Sequence, residues 1–167
     1  MAEANDRAYA RAPQIEDLVR ICRALNDAGA RYVLIGGFAV IAHGGARTTN
    51  DIDLLVDDSP ANVSRVRSAL LVLADRAAAE VGDEDVRRHA VVRVADEVVV
   101  DLLGRACGLA YDDVATDAEP FELEGVSVPV ASKKTLIRTK QTARPSDLAD
   151  RRFLESLIAE EERSRDP

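Results

Sequence analysis

The sequence predicts an α/β (α+β) fold: a mixed sheet flanked by helices, closing in a helical segment. Three observations predict it. Of 167 residues, 47% are hydrophobic and 31% charged, the balance of a globular chain with its own core. Stretches with apolar residues at three- and four-residue spacing alternate with short β-branched runs. Two pairs of such runs flank short turns, around Ala95-Asp96 and at Glu124-Gly125.

The elements follow in order. Residues 1–12 are polar and alanine-rich and read as a flexible arm with no signal-peptide core. Pro13 opens a helix over 13–28, with Ile15, Leu18, Val19, Cys22 and Leu25 on one face and Gly29 as the stop. Residues 32–35 form a buried strand that enters a tight turn at Gly36-Gly37, and 38–43 a short helix. A second strand spans 51–56. Ser59 then caps, and Pro60 starts, a helix expected to reach residue 79. Residues 82–88 read as a loop, 90–95 and 97–103 as a hairpin or one strand with a tight return, and 105–119 as irregular or short helix. A second hairpin joins 121–123 to 126–130. Ser132 caps a helix through 142, and Pro145 opens another with Leu148, Phe153, Leu154 and Leu157 on one face; the charged tail from Glu160 is expected to fray. Residues 13–130 make the core, and 131–167 a C-terminal helical segment of the same domain.

The formal net charge is −8, which excludes a uniformly basic protein that coats nucleic acid. The charges are segregated. Residues 132–152 hold Lys133, Lys134, Arg138, Lys140, Arg144, Arg151 and Arg152 against Asp147 and Asp150, a local +5. Any nucleic-acid contact is expected there. Cys22 and Cys107 are too few for a disulfide framework, and no apolar run approaches the ~20 residues of a membrane span. A cytoplasmic protein with no membrane partner is expected.

Three motifs carry chemistry. Gly36-Gly37 sits between a strand and a helix, where backbone N–H groups can approach an anion, although such a pair is also a plain turn. Asp51 and Asp53 alternate on one strand, so they share a face at a separation of about 6.6–6.8 Å along it. Two such acids either sit at a solvated strand end or hold a divalent cation that relieves their repulsion. Asp101 interrupts the apolar run 98–103, which is unfavourable unless the acid is paired, metal-bound or terminal. If the two strands are neighbours, three carboxylates converge, enough for two metals roughly 3.5–4 Å apart. His43 reads as a polar cap, His89 as solvated, Asp57 and Asp58 as loop acids, and Arg151 and Arg152 as a solvated face.

The run GGFAVIAHGGARTTNDIDLLV, with VVVDLLG downstream, resembles the DNA polymerase β-type nucleotidyltransferase superfamily. The stretch LIRTKQTARPSDLADRRFL is similar to the C-terminal Lys–Arg–Asp–Asp segment of its AbiEii-type toxin branch. The resemblance covers residues 31–155. It implies a nucleotidyltransferase core that moves a nucleoside monophosphate from an NTP such as ATP to a hydroxyl, releasing pyrophosphate, with Mg²⁺, two ions, as cofactor. Gly36 and Gly37 would hold the triphosphate through backbone N–H groups. Asp51, Asp53 and Asp101 would be the metal ligands, with Asp101 also assisting deprotonation of the acceptor. Arg47 and Thr49 match an Arg-x-Thr-x-Asp-x-Asp spacing, and Lys140, Arg144, Asp147 and Asp150 match the C-terminal segment. Asp147 and Asp150 also fit a plain helix first turn. Where many relatives have a phosphate-binding serine after the glycine, this chain has Phe38, expected only to pack.

The resemblance implies a toxin of a toxin–antitoxin pair, acting on tRNA or another RNA end, with an antitoxin protein as partner. A protein side chain or an aminoglycoside is the alternative acceptor. A non-catalytic nucleotide-binding or antitoxin-like module is the reading from a different class.

Overall fold

The computed structural model describes residues 10–166. Eight strands alternate with seven helices among these residues. In chain order they are α1 (Ile15–Asp27), β1 (Tyr32–Ile35), α2 (Gly36–Ala42), β2 (Asp51–Val56), α3 (Pro60–Leu70), α4 (Asp85–Arg88), β3 (Val92–Ala95) and β4 (Val99–Leu103). The small pair β5 (Arg105–Ala106) and β6 (Leu109–Ala110) follows, then α5 (Tyr111–Ala115), β7 (Glu119–Leu123), β8 (Val126–Val130), α6 (Lys133–Thr139) and α7 (Pro145–Arg165).

Six strands form one mixed sheet in the order β3-β4-β2-β1-β8-β7. The pairs β3–β4, β2–β1 and β8–β7 are antiparallel, while β4–β2 and β1–β8 are parallel. The two expected hairpins are therefore the two edges of the sheet. Its centre is apolar because it is covered: Leu34, Ile52, Leu54, Leu55, Val100 and Leu102 are each no more than 1% exposed. Helix α1 lays its apolar face against α3 and β8, and α6 packs on α7. The described residues make the α/β (α+β) class and the mixed sheet plain.

Several elements differ from expectation, each for a local reason. Helix α3 stops at Leu70, not near residue 79, because side chains capture the next backbone donors. Asp96 accepts from the N–H groups of Asp75 (2.8 Å) and Ala77 (2.9 Å), and Glu97 from that of Ala74 (2.8 Å). A 3₁₀ turn over Ala77–Glu80 follows. The segment read as a loop contains α4, one helical turn. Helix α6 ends at Thr139 and turns out of the helical path at Lys140, while α7 continues to Arg165 where fraying was expected. On α7, Leu154 is buried but Leu148 is 39% exposed and leaves the predicted apolar face.

Residues 1–9 of the expected arm lie outside the described residues. Arg11, also in that arm, pairs with Asp17 at 2.6 Å and Glu97 at 3.3 Å.

Candidate active site

Strand register assembles the site. In the parallel pair, Asp53 of β2 lies directly opposite Asp101 of β4. In the adjacent hairpin, Asp101 lies opposite Arg93 of β3, and on the other side Asp53 lies opposite Ile35 of β1. Directly opposite residues present side chains on the same face. The row Arg93–Asp101–Asp53 therefore ends at the Gly36 turn, with Asp51 two residues before Asp53. Ligand oxygens of Asp51, Asp53 and Asp101 lie within 4.8 Å of one another.

This crowding has an electrostatic signature. Burial first, then repulsion from Asp51 and Asp101, pushes the Asp53 carboxyl up to about 7. Lys140 and Arg144 offset only part of this rise, and three carboxylates are hard donors suited to Mg²⁺. The donor set thus fits divalent metal.

The sequence reading missed Arg93. Its Nε and Nη2 donate to the two oxygens of Asp101 at 2.8 Å each, and Nη2 reaches Asp51 at 3.4 Å. The hairpin around Ala95-Asp96 was the signal that could have found it, because it brings β3 alongside the third acid.

The glycine pair sits where it does for steric reasons. Gly36 begins α2 directly, with no intervening turn, at a φ of +72°. A Cβ there would overlap Asp53 Oδ2 and sit 2.8 Å from that residue's Cβ and Cγ. A Cβ on Gly37 would come within 2.7 Å of Thr49 Oγ1. The glycines let α2 settle onto the acid row. Phe38 is buried in the core, as expected. Thr49 precedes β2 rather than extending it, and its hydroxyl donates to the carbonyl of Asp51 at 3.0 Å. That hydroxyl is engaged locally, and Thr49 lines the same cavity as the two acids.

The C-terminal segment faces this row. Lys140, buried at the end of α6, places Nζ 3.0 Å from Asp150 and 3.8 Å from Asp147. Asp150 also binds the Arg47 guanidinium. Asp147 accepts from the Thr142 hydroxyl and from Arg144 Nε at 3.1 Å. Burial alone would raise Asp147, but Thr142, Arg144 and Lys140 outweigh it and hold the carboxyl below its ordinary range. Both acids are more than a helix first turn: they fix the cations on either side. Arg151, expected on a solvated face, instead donates to the carbonyls of Lys140 and Thr142 and clamps the turn.

One cavity of about 530 Å³ gathers Gly36, Gly37, Arg47, Thr49, Asp51, Asp53, Asp101, Lys140, Arg144 and Asp147, with Arg93 on its wall. Asp150 stands behind the lining. His43 is outside it, its Nε2 2.9 Å from the Ala131 carbonyl and its ring edge-on to Phe121. His89 is exposed and also outside it.

Residues 18–159 match the family model described as nucleotidyl transferase AbiEii toxin, type IV TA system. The chain belongs to that family. No curated protein matches the chain. The AbiEii match takes in every site residue above, from Gly36 to Asp150, and supports a nucleotidyl transferase of toxin–antitoxin type. Among the described residues of this AbiEii-family chain, no helix is long and apolar enough to cross a membrane.

Proposed function

We propose that the chain is a Mg²⁺-dependent transferase that moves a nucleoside monophosphate from an NTP to an acceptor hydroxyl. The observation that carries this reading is the placement of three acids on one wall of a 530 Å³ cavity with Lys140 and Arg144 also lining it. The volume is of ligand-site size.

The backbone N–H groups of Gly36 and Gly37 approach the triphosphate. Lys140, whose ammonium has three donors and two ion-pair partners among the described residues, keeps a proton free for a phosphate oxygen. Arg144 and Arg47 add positive charge where the leaving group develops its own. The acceptor oxygen bonds to the α-phosphorus as the bond to the bridging oxygen breaks, and pyrophosphate leaves. Asp101 receives the hydroxyl proton, and Arg93 holds it in line. Asp51, Asp53 and Asp101 would hold two Mg²⁺ ions, which supply charge neutralisation at the transferring phosphoryl group when bound.

The acceptor is a tRNA or other RNA 3′ end, and the partner that restrains the enzyme is an antitoxin protein. The test is incubation with α-labelled NTPs, Mg²⁺ and RNA, aminoglycoside or protein acceptors. Label transfer and pyrophosphate release by wild type, both absent in Asp53→Ala, are expected. NTP binding with no pyrophosphate release on any acceptor would establish the non-catalytic reading instead. Wild type should slow growth on expression, and Asp53→Ala should not.

A further inference from the structure

The basic tract 132–152 was the expected route for an acceptor strand, but much of its charge is used internally. Lys133 pairs with Glu161 at 2.8 Å, Lys140 with Asp150, and Arg144 with Asp147, while Arg151 binds carbonyls. A different positive surface opens beside the cavity. A groove of about 370 Å³ runs between α4 and the β5–β6 pair, carrying Arg87, Arg88, His89 and Arg105. Its one lining acid, Asp58, lies 3.6 Å from Arg87. The side chains of Arg88 and Arg105 are exposed and have no hydrogen-bond or ion-pair partner among the described residues.

Groove and cavity adjoin. Ala90 lines the groove and the next residue, Val91, the cavity; Gly104 and Arg105 line the groove and Ala106 the cavity. Val91, 45% exposed, marks the junction as an apolar ledge. Arg87 is offset by Asp58 and by Glu84 at 3.9 Å, so the groove's free charge is that of Arg88 and Arg105; guanidinium matches phosphate geometry with paired donors, which suits a polyanion. In a chain of net charge −8, such a concentration next to the reacting acids has a direction to it.

We propose that this groove is the track for the acceptor: a single-stranded RNA whose 3′ end passes Val91 into the cavity while Arg88 and Arg105 hold upstream phosphates. This rests on the nucleotidyl-transfer reading above. An acidic protein segment is the competing occupant, and the same experiment separates it.

The experiment uses the full chain and a fluorescent single-stranded RNA with a free 3′ hydroxyl. Affinity for this RNA and for polyglutamate is measured across a salt series for wild type, Arg88→Ala/Arg105→Ala and the control Arg138→Ala/Arg152→Ala on the C-terminal tract. NTP binding and pyrophosphate release are followed in parallel. The groove variant should bind RNA at least tenfold more weakly, and its log–log salt slope should fall by about 1.4, the loss of two phosphate contacts on a single strand. The control should match wild type, and NTP affinity should be the same in all three. Equal RNA affinity and slope in wild type and groove variant would overturn the proposal. So would a loss confined to polyglutamate, which would assign the groove to an acidic protein. Absence of RNA binding by a wild type that still binds NTP and releases pyrophosphate would overturn the groove proposal alone. Absence of both NTP binding and pyrophosphate release would overturn the reading beneath it.

Discussion

Arg93 grips both carboxylate oxygens of Asp101, with Nε and Nη2 each at 2.8 Å. The guanidinium thus serves as a built-in cation for the acid row, with Asp51 at the edge of its reach. Arg93→Met leaves three crowded carboxylates with only Lys140 and Arg144 across the cavity to offset them. Its melting temperature in chelator should fall, with a loss of roughly 1.5–3 kcal/mol for one charged hydrogen-bonding partner. Mg²⁺ should raise the melting temperature of the variant more than that of wild type. Equal Mg²⁺ shifts in the two proteins would show that Arg93 is not a stand-in for metal.

Asp53 supplies the pH dependence. Burial and its two acidic neighbours raise it to about 7, so the fold favours the protonated form. In the unfolded chain the group ionises near 4. Its contribution to stability is therefore greatest below pH 4 and is lost as the pH rises from about 4 to about 7. Asp53→Asn removes that loss and should be the more stable protein at pH 8. Metal binding requires the ionised form, so at pH 6 it should release close to one proton. Calorimetry in two buffers of different ionisation enthalpy measures this, and identical heats in both would refute it.

The Lys140–Asp150–Arg47 chain sets a second expectation. Side chains of Lys140 and Asp150 are each 7% exposed. Asp150→Ala leaves buried Lys140 with only Asp147 at 3.8 Å and takes the acid from Arg47, which should cost up to roughly 3–5 kcal/mol in urea unfolding. NTP affinity should drop with it, because Arg47 and Lys140 lose their common anchor. Lys140→Met removes the charge instead of orphaning one acid alone, since Arg47 still balances Asp150. It should unfold at higher urea than Asp150→Ala while losing transfer activity. A reversed order of stability would contradict the assignment.

Gly36 is doubly constrained, by a φ of +72° and by contact with Asp53. Gly36→Ala should destabilise the fold by about 1–3 kcal/mol and weaken Mn²⁺ binding seen by electron paramagnetic resonance, because Asp53 must move. Gly29, also at positive φ but with open space around it, is the comparison: Gly29→Ala should lower stability and leave Mn²⁺ binding intact. Equal Mn²⁺ affinity in both variants would remove the steric argument.

Much of this was legible in the sequence. Alternation placed Asp51 and Asp53 on one face, and the lone acid in an apolar run marked Asp101. Both hairpins were visible from their turns. What escaped depends on pairing across the fold. Arg93 looks like any exposed strand residue until β3 is laid beside β4. The end of α3 escaped because it is set by Asp96 and Glu97, more than twenty residues downstream. The state of the +5 tract escaped for the same reason: composition counts charges, while the fold pairs Lys133, Lys140 and Arg144 with acids.

The order in which the ribosome delivers these residues matters. The acid row is complete once β4 has emerged, but Lys140, Asp147 and Asp150 come from α6 and α7, well downstream. A chain interrupted between residues 104 and 139 would carry the carboxylates without the Lys140 ammonium that lines the same cavity. Under the proposed transfer mechanism such a fragment lacks the cation assigned to phosphate, so premature termination in this interval is expected to yield an inactive product.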